Sequence, residues 1–564
     1  MKRVKPKYSL SKKSKLGLWL SGLGIIFGIC GMSINLWQCN LEKDKYELLK
    51  DFSMKEYIDS YFAFHQSEFS QFDTCFEIKE QEVLRMLYQK NHNNSFWFSE
   101  NNQANVRSEQ LLQTLANSMN YGLDTTLYNL PFVKNFTQYF SQDTLITEQN
   151  KKAMLGYELH LTQATVLFFK YLHSGIMPFN PSEYITDRDF DSTSSYLEIY
   201  NYFNNISNYK IVDILYHAFK TDNINSAIDS VQPKNIHYKT LQKALENYVQ
   251  TTAINHDSIK VVYYEEDTVW TSSFNNYRKA CLALQKLRWS NITAEQYIFV
   301  NIPSFTLDFV QKNLFASQHR IVCGKIENQT PELNSRLWQI QLFPEWHIPF
   351  SISVKEILPM VKRDTSYLSR HNYKVYNRQG KLLSPDSVPW RRYTEDYFPL
   401  KIRQTAGYHN SLGIIVFRFN NSHAVYFHDT PAKGLFRGSF RALSHGCMRT
   451  QYPFVLAKAI MELDNDILHL PKEKLVEMGI YEEQRLKKRQ YYNDTESKWA
   501  VLQNHVKEEE KYFYNVKSNI PVYIRYMTAY CDEKGELCFA PDFYGRDSLL
   551  MLHYNRMVEK NSNN

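Results

Sequence analysis

Apolar residues between positions 41 and 295 recur at intervals of three and four, which is the spacing of a helix face that packs on a core. One clear run is Leu111, Leu115 and Met119, and Gly122 follows it where a helix C-cap is expected. The spacing predicts a mainly helical domain over residues 41–295.

The pattern changes in the second half of the chain. Short segments rich in β-branched and aromatic residues, such as IIVFRF at 414–419, alternate there with turn residues. This alternation predicts a mainly β domain over residues 296–550, with its central motif within 400–460. We expect helices to interrupt this domain near Pro453 and in the charged stretch around 482–511.

A hairpin is predicted in the segment YCDEKGELCF, residues 530–539, with its turn at Lys534-Gly535. Cys531 and Cys538 would then be cross-strand partners. A disulfide between them stays an open alternative, because cysteines at such a hydrogen-bonded pair are difficult to bridge.

The first 37 residues combine a basic arm with an uncharged apolar span. The arm, residues 1–15, carries seven lysine and arginine residues and no acidic one, and Leu16–Trp37 follows with 22 uncharged residues. A helix of that length crosses a bilayer core of about 30 Å, and the basic arm favours a cytoplasmic N-terminus. We therefore predict a single-pass membrane anchor, with everything after Leu41 outside the cytoplasm. A cleaved signal peptide is the alternative.

The positive charge of the chain does not indicate nucleic-acid binding. The formal net charge is +7, and the arm alone contributes seven positive charges. The rest of the chain is therefore neutral, whereas a nucleic-acid-binding face needs basic residues clustered on the folded part.

Two histidines, His428 and His445, lie within 20 residues of Cys447 in the segment from Tyr426 to Thr450. A cysteine nucleophile attacks as the thiolate, and a nearby imidazole can take its proton. Gly446 allows close backbone approach beside the thiol, so that neighbouring N–H groups can face an oxyanion. The pattern favours a cysteine nucleophile at position 447.

Two other interpretations of these residues stay open. His428, Asp429, His445 and Cys447 are all possible zinc ligands, although no further cysteine or glutamate lies at the usual spacing. Cys447 is otherwise an inert buried thiol, as cysteines often are.

A resemblance to a known family narrows the choice. SHGCMR at 444–449, preceded by FHDTP at 427–431, resembles the signature of L,D-transpeptidases with a YkuD-type catalytic domain, and within them the YcbB-like branch. Residues 402–436 and 520–529 resemble further segments of that branch, and residues 159–178 resemble its helical scaffold domain. The resemblance implies an α+β multidomain protein with a transmembrane helix, a mainly helical scaffold domain and a mainly β catalytic domain.

The resemblance also assigns roles to residues. It implies that Cys447 is the nucleophile and that His428 donates and accepts the proton. It places the oxyanion and substrate pocket at four further residues: Ser444, His445, Gly446 and Arg449. The guanidinium of Arg449 suits a substrate carboxylate.

The implied reaction is the formation of 3→3 cross-links between peptidoglycan peptide stems, through a cysteine thioester that forms as D-alanine leaves a tetrapeptide. It needs no cofactor and no metal. Expected partners are peptide stems, with cell-wall synthases and D,D-carboxypeptidases, and carbapenems are expected to be covalent inhibitors. An L,D-carboxypeptidase and a non-catalytic wall-binding scaffold are the alternatives.

The sequence departs from the YcbB-like branch in one place. That branch carries a small peptidoglycan-binding module between its scaffold and catalytic parts, but here only residues 250–277 separate the two. We therefore expect this module to be absent at that position.

Overall fold

A computed structural model describes residues 47–48, 53–63, 80–99, 102–139, 145–177, 206–263 and 267–562. The predicted arm and anchor, together with Cys30, Cys39 and Cys75, lie outside these residues. Among the helices that the structure describes, none is long and apolar enough to cross a membrane.

The N-terminal part is mainly helical, as its hydrophobic spacing predicts. Its α-helices are α1 (Met54–Ala63), α2 (Gln81–Lys90), α3 (Val106–Ala116), α4 (Leu130–Asn135), α5 (Glu148–Ser174), α6 (Asn208–Thr221), α7 (Ile224–Val231), α8 (Ile236–Thr251) and α9 (Ser273–Trp289). Short 3₁₀ turns lie at Ser118–Tyr121, Thr125–Tyr128 and Phe136–Tyr139.

Helix α5 is the centre of this helical region. It begins with a capping box, in which Thr147 accepts from the Asn150 N–H and the Asn150 side chain accepts from the Thr147 N–H. Further along, the fully buried Glu158 carboxylate accepts hydrogen bonds from the Tyr88 hydroxyl at 2.8 Å and the Phe96 N–H at 2.7 Å. These bonds tie the 80–99 segment to α5, because a buried carboxylate needs partners for its charge.

The described residues form twenty strands, most of them in the C-terminal part. They are β1 (Glu47–Leu48), β2 (Leu145–Ile146), β3 (Ser258–Tyr263), β4 (Asp267–Ser272), β5 (Tyr297–Asn301), β6 (Thr306–Gln311), β7 (Leu314–Gly324), β8 (Leu333–Leu342), β9 (Trp346–His347), β10 (Tyr373–Tyr376), β11 (Leu382–Leu383), β12 (Lys401–Gln404), β13 (Ile415–Phe419), β14 (Phe427–His428), β15 (Ala442–Ser444), β16 (Met448–Thr450), β17 (Tyr512–Asn515), β18 (Pro521–Arg525), β19 (Ala529–Cys531) and β20 (Leu537–Phe539). The mainly β character predicted for this part is confirmed. The hairpin β3–β4 occupies the stretch between α8 and α9.

The main sheet closes on itself. Its strand order is β13-β14-β16-β7-β6-β5-β18-β8, and β8 pairs again with β13. Strand β18 runs parallel to β5 on one side and antiparallel to β8 on the other. Closure leaves the inner side chains packed in one apolar core, which includes Phe417, Phe427 and Met448.

A subdomain is inserted between β8 and β13, over residues 346–404. A four-stranded sheet of order β11-β10-β12-β9 packs there with its own apolar core, which includes Val361, Val375 and Ile402. Its helical segments are α10 (Phe350–Ile352), a π-helical turn (Ser353–Ile357), α11 (Leu358–Arg363) and α12 (Ser366–Arg370), with 3₁₀ turns at Pro385–Ser387 and Trp390–Arg392.

Helices follow strand β16, as predicted near Pro453 and around 482–511. They are α13 (Pro453–Leu463), α14 (Lys472–Glu477), α15 (Tyr481–Asn493), α16 (Lys498–Lys507) and α17 (Arg546–Ser562); two 3₁₀ turns lie at Ile326–Asn328 and Lys433–Phe436. Helix α17 returns to the helical region, where Tyr554 donates to the Gly122 carbonyl at 3.2 Å. The buried Lys286–Asp547 pair also joins the two parts.

The prediction that Cys531 and Cys538 are cross-strand partners is wrong. In the β19–β20 hairpin, Cys531 pairs with Leu537 and Tyr530 pairs with Cys538, because the turn is longer than two residues. This offset by one position directs the two cysteine side chains to opposite faces of the hairpin, and both thiols are free.

Candidate active site

The register between β14 and β16 determines which side chains meet. The strands are parallel, with Phe427 opposite Met448 and His428 opposite Arg449. Phe427 and Met448 are fully buried in the core of the closed sheet. Because successive residues of a strand point to opposite faces, His428 and Arg449 lie together on the other face.

The pairing continues one residue before the two strands. The Met448 N–H donates to the Tyr426 carbonyl at 3.1 Å. The same alternation therefore places Tyr426 beside Cys447, on the face that carries His428 and Arg449. Four side chains capable of proton transfer or charge recognition thus share one face of the sheet.

His428 is buried and held as a neutral imidazole. Its Nδ1–H donates to the Asp429 carbonyl at 2.5 Å, because a carbonyl can only accept. This bond leaves Nε2 as the basic nitrogen. Burial, with the nearby Arg449 guanidinium, lowers the pKa of His428 to about 3, although the Asp429 and Leu412 carbonyls act in the opposite direction.

The Asp429 side chain is fixed against the turn before β13. Its carboxylate accepts the Ile414 N–H at 3.3 Å and forms an ion pair with Lys433. Gly413 lies directly against it in the left-handed region, at φ +62°, and a Cβ there would lie 2.4 Å from Asp429 Oδ2. Only glycine fits this position, because it both tolerates the positive φ and leaves room for the carboxylate.

Cys447 is a neutral thiol in this arrangement. Burial raises its pKa, while hydrogen bonds with the Tyr426 backbone and side chain and the charge of Arg418 act in the opposite direction. Burial thus disfavours the thiolate, so a thiol that attacks as the thiolate must pass its proton to a base as it reacts.

Hydrogen bonds around Ser444 shape the loop before the thiol. Its hydroxyl donates to the Cys447 carbonyl at 2.6 Å and accepts from the Gly446 N–H at 3.3 Å. Gly446 has φ +113°, and the Thr330 hydroxyl donates to its carbonyl at 2.8 Å. The Cys447 N–H, by contrast, forms no hydrogen bond within the described part of the chain, and it is the donor left available to an oxyanion.

His445 is exposed and turned toward the inserted subdomain. Its Nε2 lies 2.5 Å from Glu356 Oε1. Glu356 is part of the π-helical turn, so this contact joins the thiol loop to the inserted subdomain. The structure thus brings His428 to the same sheet face as Cys447, whereas the imidazole of His445 contacts a carboxylate from another subdomain.

Arg449 carries an unsatisfied donor. Its Nε is buried without a hydrogen-bond partner among the described residues, and burial lowers the pKa of the guanidinium. A buried donor without a partner is costly, so a carboxylate brought by a ligand would be well accommodated there.

Two residues of the site were missed in the sequence. Tyr426 lies close enough to Cys447 for an electrostatic interaction, and burial with the nearby sulfur raises the pKa of this tyrosine. The Arg418 guanidinium lies 5.7 Å from the Tyr426 ring centroid and donates to Gln341 at 2.7 Å. Period-two alternation back from His428 could have indicated Tyr426. Nothing local indicates Arg418, which reaches the site from β13.

The possible zinc ligands do not converge. Within the residues that the structure describes, no three histidine, cysteine or acidic side chains form a group suited to a metal ion. Asp429 is directed to Lys433 and Ile414, and His445 to Glu356. Cys447 and His428 instead lie on one face of the sheet.

Comparison with known families agrees with this geometry. Residues 295–464 match the YkuD model, an L,D-transpeptidase catalytic domain, and residues 82–245 match the Scaffold domain model. The chain therefore combines an L,D-transpeptidase catalytic domain with a scaffold domain, which is the YcbB-like architecture, and the resemblance noted in the sequence is confirmed.

The individual relatives share low sequence identity with this chain. A Haemophilus influenzae protein provisionally named an L,D-transpeptidase is 28% identical over 330 residues, which are 57% of this chain and 60% of the relative. Two solved structures also match: the Ldtfm–avibactam carbamoyl enzyme at 11% identity, with 37% of this chain and 71% of that chain covered, and a cysteine-to-serine mutant of an Enterococcus faecium L,D-transpeptidase at 10% identity, with 39% and 76% covered. Their TM-scores are 0.16 and 0.14, which are too low to establish a shared fold.

Proposed function

We propose that this protein is a peptidoglycan L,D-transpeptidase that forms 3→3 cross-links through a thioester on Cys447. The observation that carries the proposal is the β14–β16 register, which puts Cys447, His428, Tyr426 and Arg449 on one face of the catalytic domain. A thiol, a base, a hydroxyl donor and a guanidinium are the groups that acyl transfer between carboxylate-bearing peptides requires.

In the first half-reaction, the Cys447 thiol passes its proton to His428 Nε2 as the sulfur attacks the carbonyl carbon of the third residue of a tetrapeptide stem. The Cys447 N–H stabilises the oxyanion that forms, and Tyr426 lies on the same face as the sulfur. The tetrahedral intermediate then breaks its C–N bond. D-Alanine leaves with the proton from His428, and a thioester remains.

In the second half-reaction, the side-chain amine of the third residue of another stem attacks the thioester carbon. His428 takes the proton of the amine and returns it to sulfur as the C–S bond breaks. The products are the 3→3 linkage and the free thiol. Because His428 is neutral at rest, it is ready to act as a base without a prior loss of its proton.

The same proposal includes where the enzyme works and what holds its substrate. The span Leu16–Trp37 anchors the chain in the inner membrane, with the catalytic face in the periplasm among the peptide stems. Arg449 binds a carboxylate of the stem through its unsatisfied guanidinium. Carbapenems acylate Cys447, and synthases and D,D-carboxypeptidases that supply or use the same stems are expected partners.

Replacement of the nucleophile tests the proposal. Cys447→Ser retains the shape of the site but presents a hydroxyl that a neutral imidazole activates poorly, so both cross-linking and carbapenem acylation should be lost. The measurements are the mass of the intact protein after carbapenem treatment and the muropeptide products of the purified enzyme. Cys323→Ser, at a fully buried thiol outside the site, is the control that should retain both.

The products also separate the alternatives. Cross-linked dimers support the transpeptidase, and tripeptides without dimers would make the enzyme an L,D-carboxypeptidase that transfers the acyl group to water. A wild-type protein that gains no carbapenem mass would be a wall-binding scaffold without catalysis. If Cys447→Ser still gains that mass, the assignment of the nucleophile is wrong.

A further inference from the structure

A cavity lies in the helical segment that follows α13, and none of its lining residues belongs to the catalytic face. Its volume is about 380 Å³, which falls within the roughly 300–1,000 Å³ of small-ligand sites. The floor is formed by leucines of the 468–475 segment. The wall carries four basic side chains and two aromatic ones: Lys472, Arg485, Lys488, Arg489, Tyr481 and Tyr492.

The positive charge of this basic cavity is only partly compensated. Arg485 forms an ion pair with Glu482 on the exposed side of α15. Lys472 and Arg489 have no carboxylate partner among the described residues, and Lys472 Nζ lies instead 5.2 Å from the ring centroid of Tyr481. No acidic side chain lines the cavity.

The nearest carboxylate is already satisfied. Glu462 is fully buried, accepts from Tyr492, and lies 2.6 Å from His469 Nδ1 and 3.4 Å from Lys488 Nζ. Burial acts to raise its pKa, but these neighbours hold the pKa below its usual value, so the carboxylate is charged. Lys458 adds a further cation 4.6 Å from the Tyr492 ring centroid. Glu462 therefore orders one wall and compensates Lys488, whereas Lys472 and Arg489 stay without a carboxylate partner among the described residues.

We propose that the basic cavity binds a short carboxylate-bearing peptide, and specifically a second peptidoglycan stem outside the catalytic cleft. Arg489 offers a planar fork that matches a carboxylate, Lys472 offers a second charge, and the leucine floor with Tyr481 suits the aliphatic parts of a peptide. This inference rests on the proposed function, which brings carboxylate-bearing stems to the enzyme. A stem bound there would give the protein a contact with peptidoglycan outside the catalytic face.

The experiment uses the full chain with Cys447 blocked by a carbapenem and a synthetic stem tripeptide that carries a photoreactive diazirine. Sites of cross-linking are mapped by peptide mass spectrometry, and affinity is measured by calorimetry. The test variant is Lys472→Gln with Arg489→Gln. The matched control is Lys474→Gln with Lys487→Gln, which removes two charges from the same helices at side chains that do not line the cavity.

We expect cross-links within residues 468–492, a rise in Kd of at least about tenfold in the test variant, and a change below about twofold in the control. The proposal is overturned if cross-links fall only within residues 426–449, or if both variants lose affinity equally. It is also overturned if inorganic phosphate or anionic phospholipid vesicles displace the tripeptide at equal concentration, since the site would then select charge or lipid.

The same samples separate this inference from the function on which it rests. Carbapenem acylation of Cys447 reports on the catalytic site alone, and its rate should be unchanged in both double variants. Wild-type protein that cross-links the tripeptide at 468–492 but is never acylated would remove the proposed function and leave the peptide site. Acylation of Cys447 without cross-links in residues 468–492 would support the proposed function and overturn the peptide site.

Discussion

Gly413→Ala tests how the turn before β13 holds the catalytic face. The new Cβ would lie 2.4–2.5 Å from side-chain atoms of Asp429, which is closer than real contacts allow, so Asp429 must shift. Asp429 accepts the Ile414 N–H through its carboxylate and the His428 Nδ1–H through its carbonyl. The substitution should therefore disturb both the stability of the turn and the orientation of the imidazole.

The magnitude follows from two contributions. A side chain at φ +62° costs about 1 kcal/mol for the left-handed backbone. Displacement of the carboxylate weakens its two bonds, to Ile414 and Lys433, at about 1 kcal/mol each. We expect a loss of about 3 kcal/mol in the free energy of unfolding of the catalytic domain, with a slower acylation of the fraction that stays folded.

Gly380→Ala provides a matched control, because Gly380 has φ +82° but no atom within 4 Å of the added Cβ. It should lose only the backbone contribution of about 1 kcal/mol. The assay is a urea titration. At each urea concentration a short carbapenem pulse acylates the folded catalytic domain, and the acylated fraction is divided by its value without urea for the same variant. Equal losses in the two variants would show that the contact between Gly413 and Asp429 does not support the site.

Three further predictions concern the histidines, the titration of the site and the topology. His428→Ala should lower the rate of carbapenem acylation more than His445→Ala, because only His428 lies on the face of Cys447; equal or reversed rates would reassign the proton transfer. Acylation should be independent of pH from about 4 to 8 and fall only as pH approaches the pKa of His428, about 3, since protonation removes the base; a bell-shaped profile centred near neutrality would indicate a thiolate–imidazolium pair instead. A reporter fused after Asn564 should be active only in the periplasm, and activity confined to the cytoplasm would contradict the predicted anchor.

Local patterns in the sequence predicted local structure well. Leu111 and Leu115 are fully buried on α3, and the helix expected near Pro453 begins at that residue. His428 and Cys447, which lie 19 positions apart in the motif segment, come to one face of the sheet. In each case the deciding information lies within about 20 positions of the chain.

Features that depend on distant parts of the chain were not predictable. The contact of His445 with Glu356 joins residues 89 positions apart, and Arg418 reaches the site from another strand. The protonation state of Cys447 depends on how deeply the folded sheet buries it, which spacing along the chain does not reveal. The predicted pairing of Cys531 with Cys538 was wrong for a different reason, because it depended on a turn length that the sequence leaves open.

Closure of the main sheet by β18 has a consequence for biogenesis. This strand inserts between β5 and β8, and the Met527 N–H next to it bonds to Asn301, 226 positions earlier. Until residues 521–525 are available, β5 and β8 are open edges that invite pairing with other chains. A chain released early, even with Cys447 already made, should therefore aggregate or be degraded rather than persist. Pairing across so long a separation also predicts slow folding.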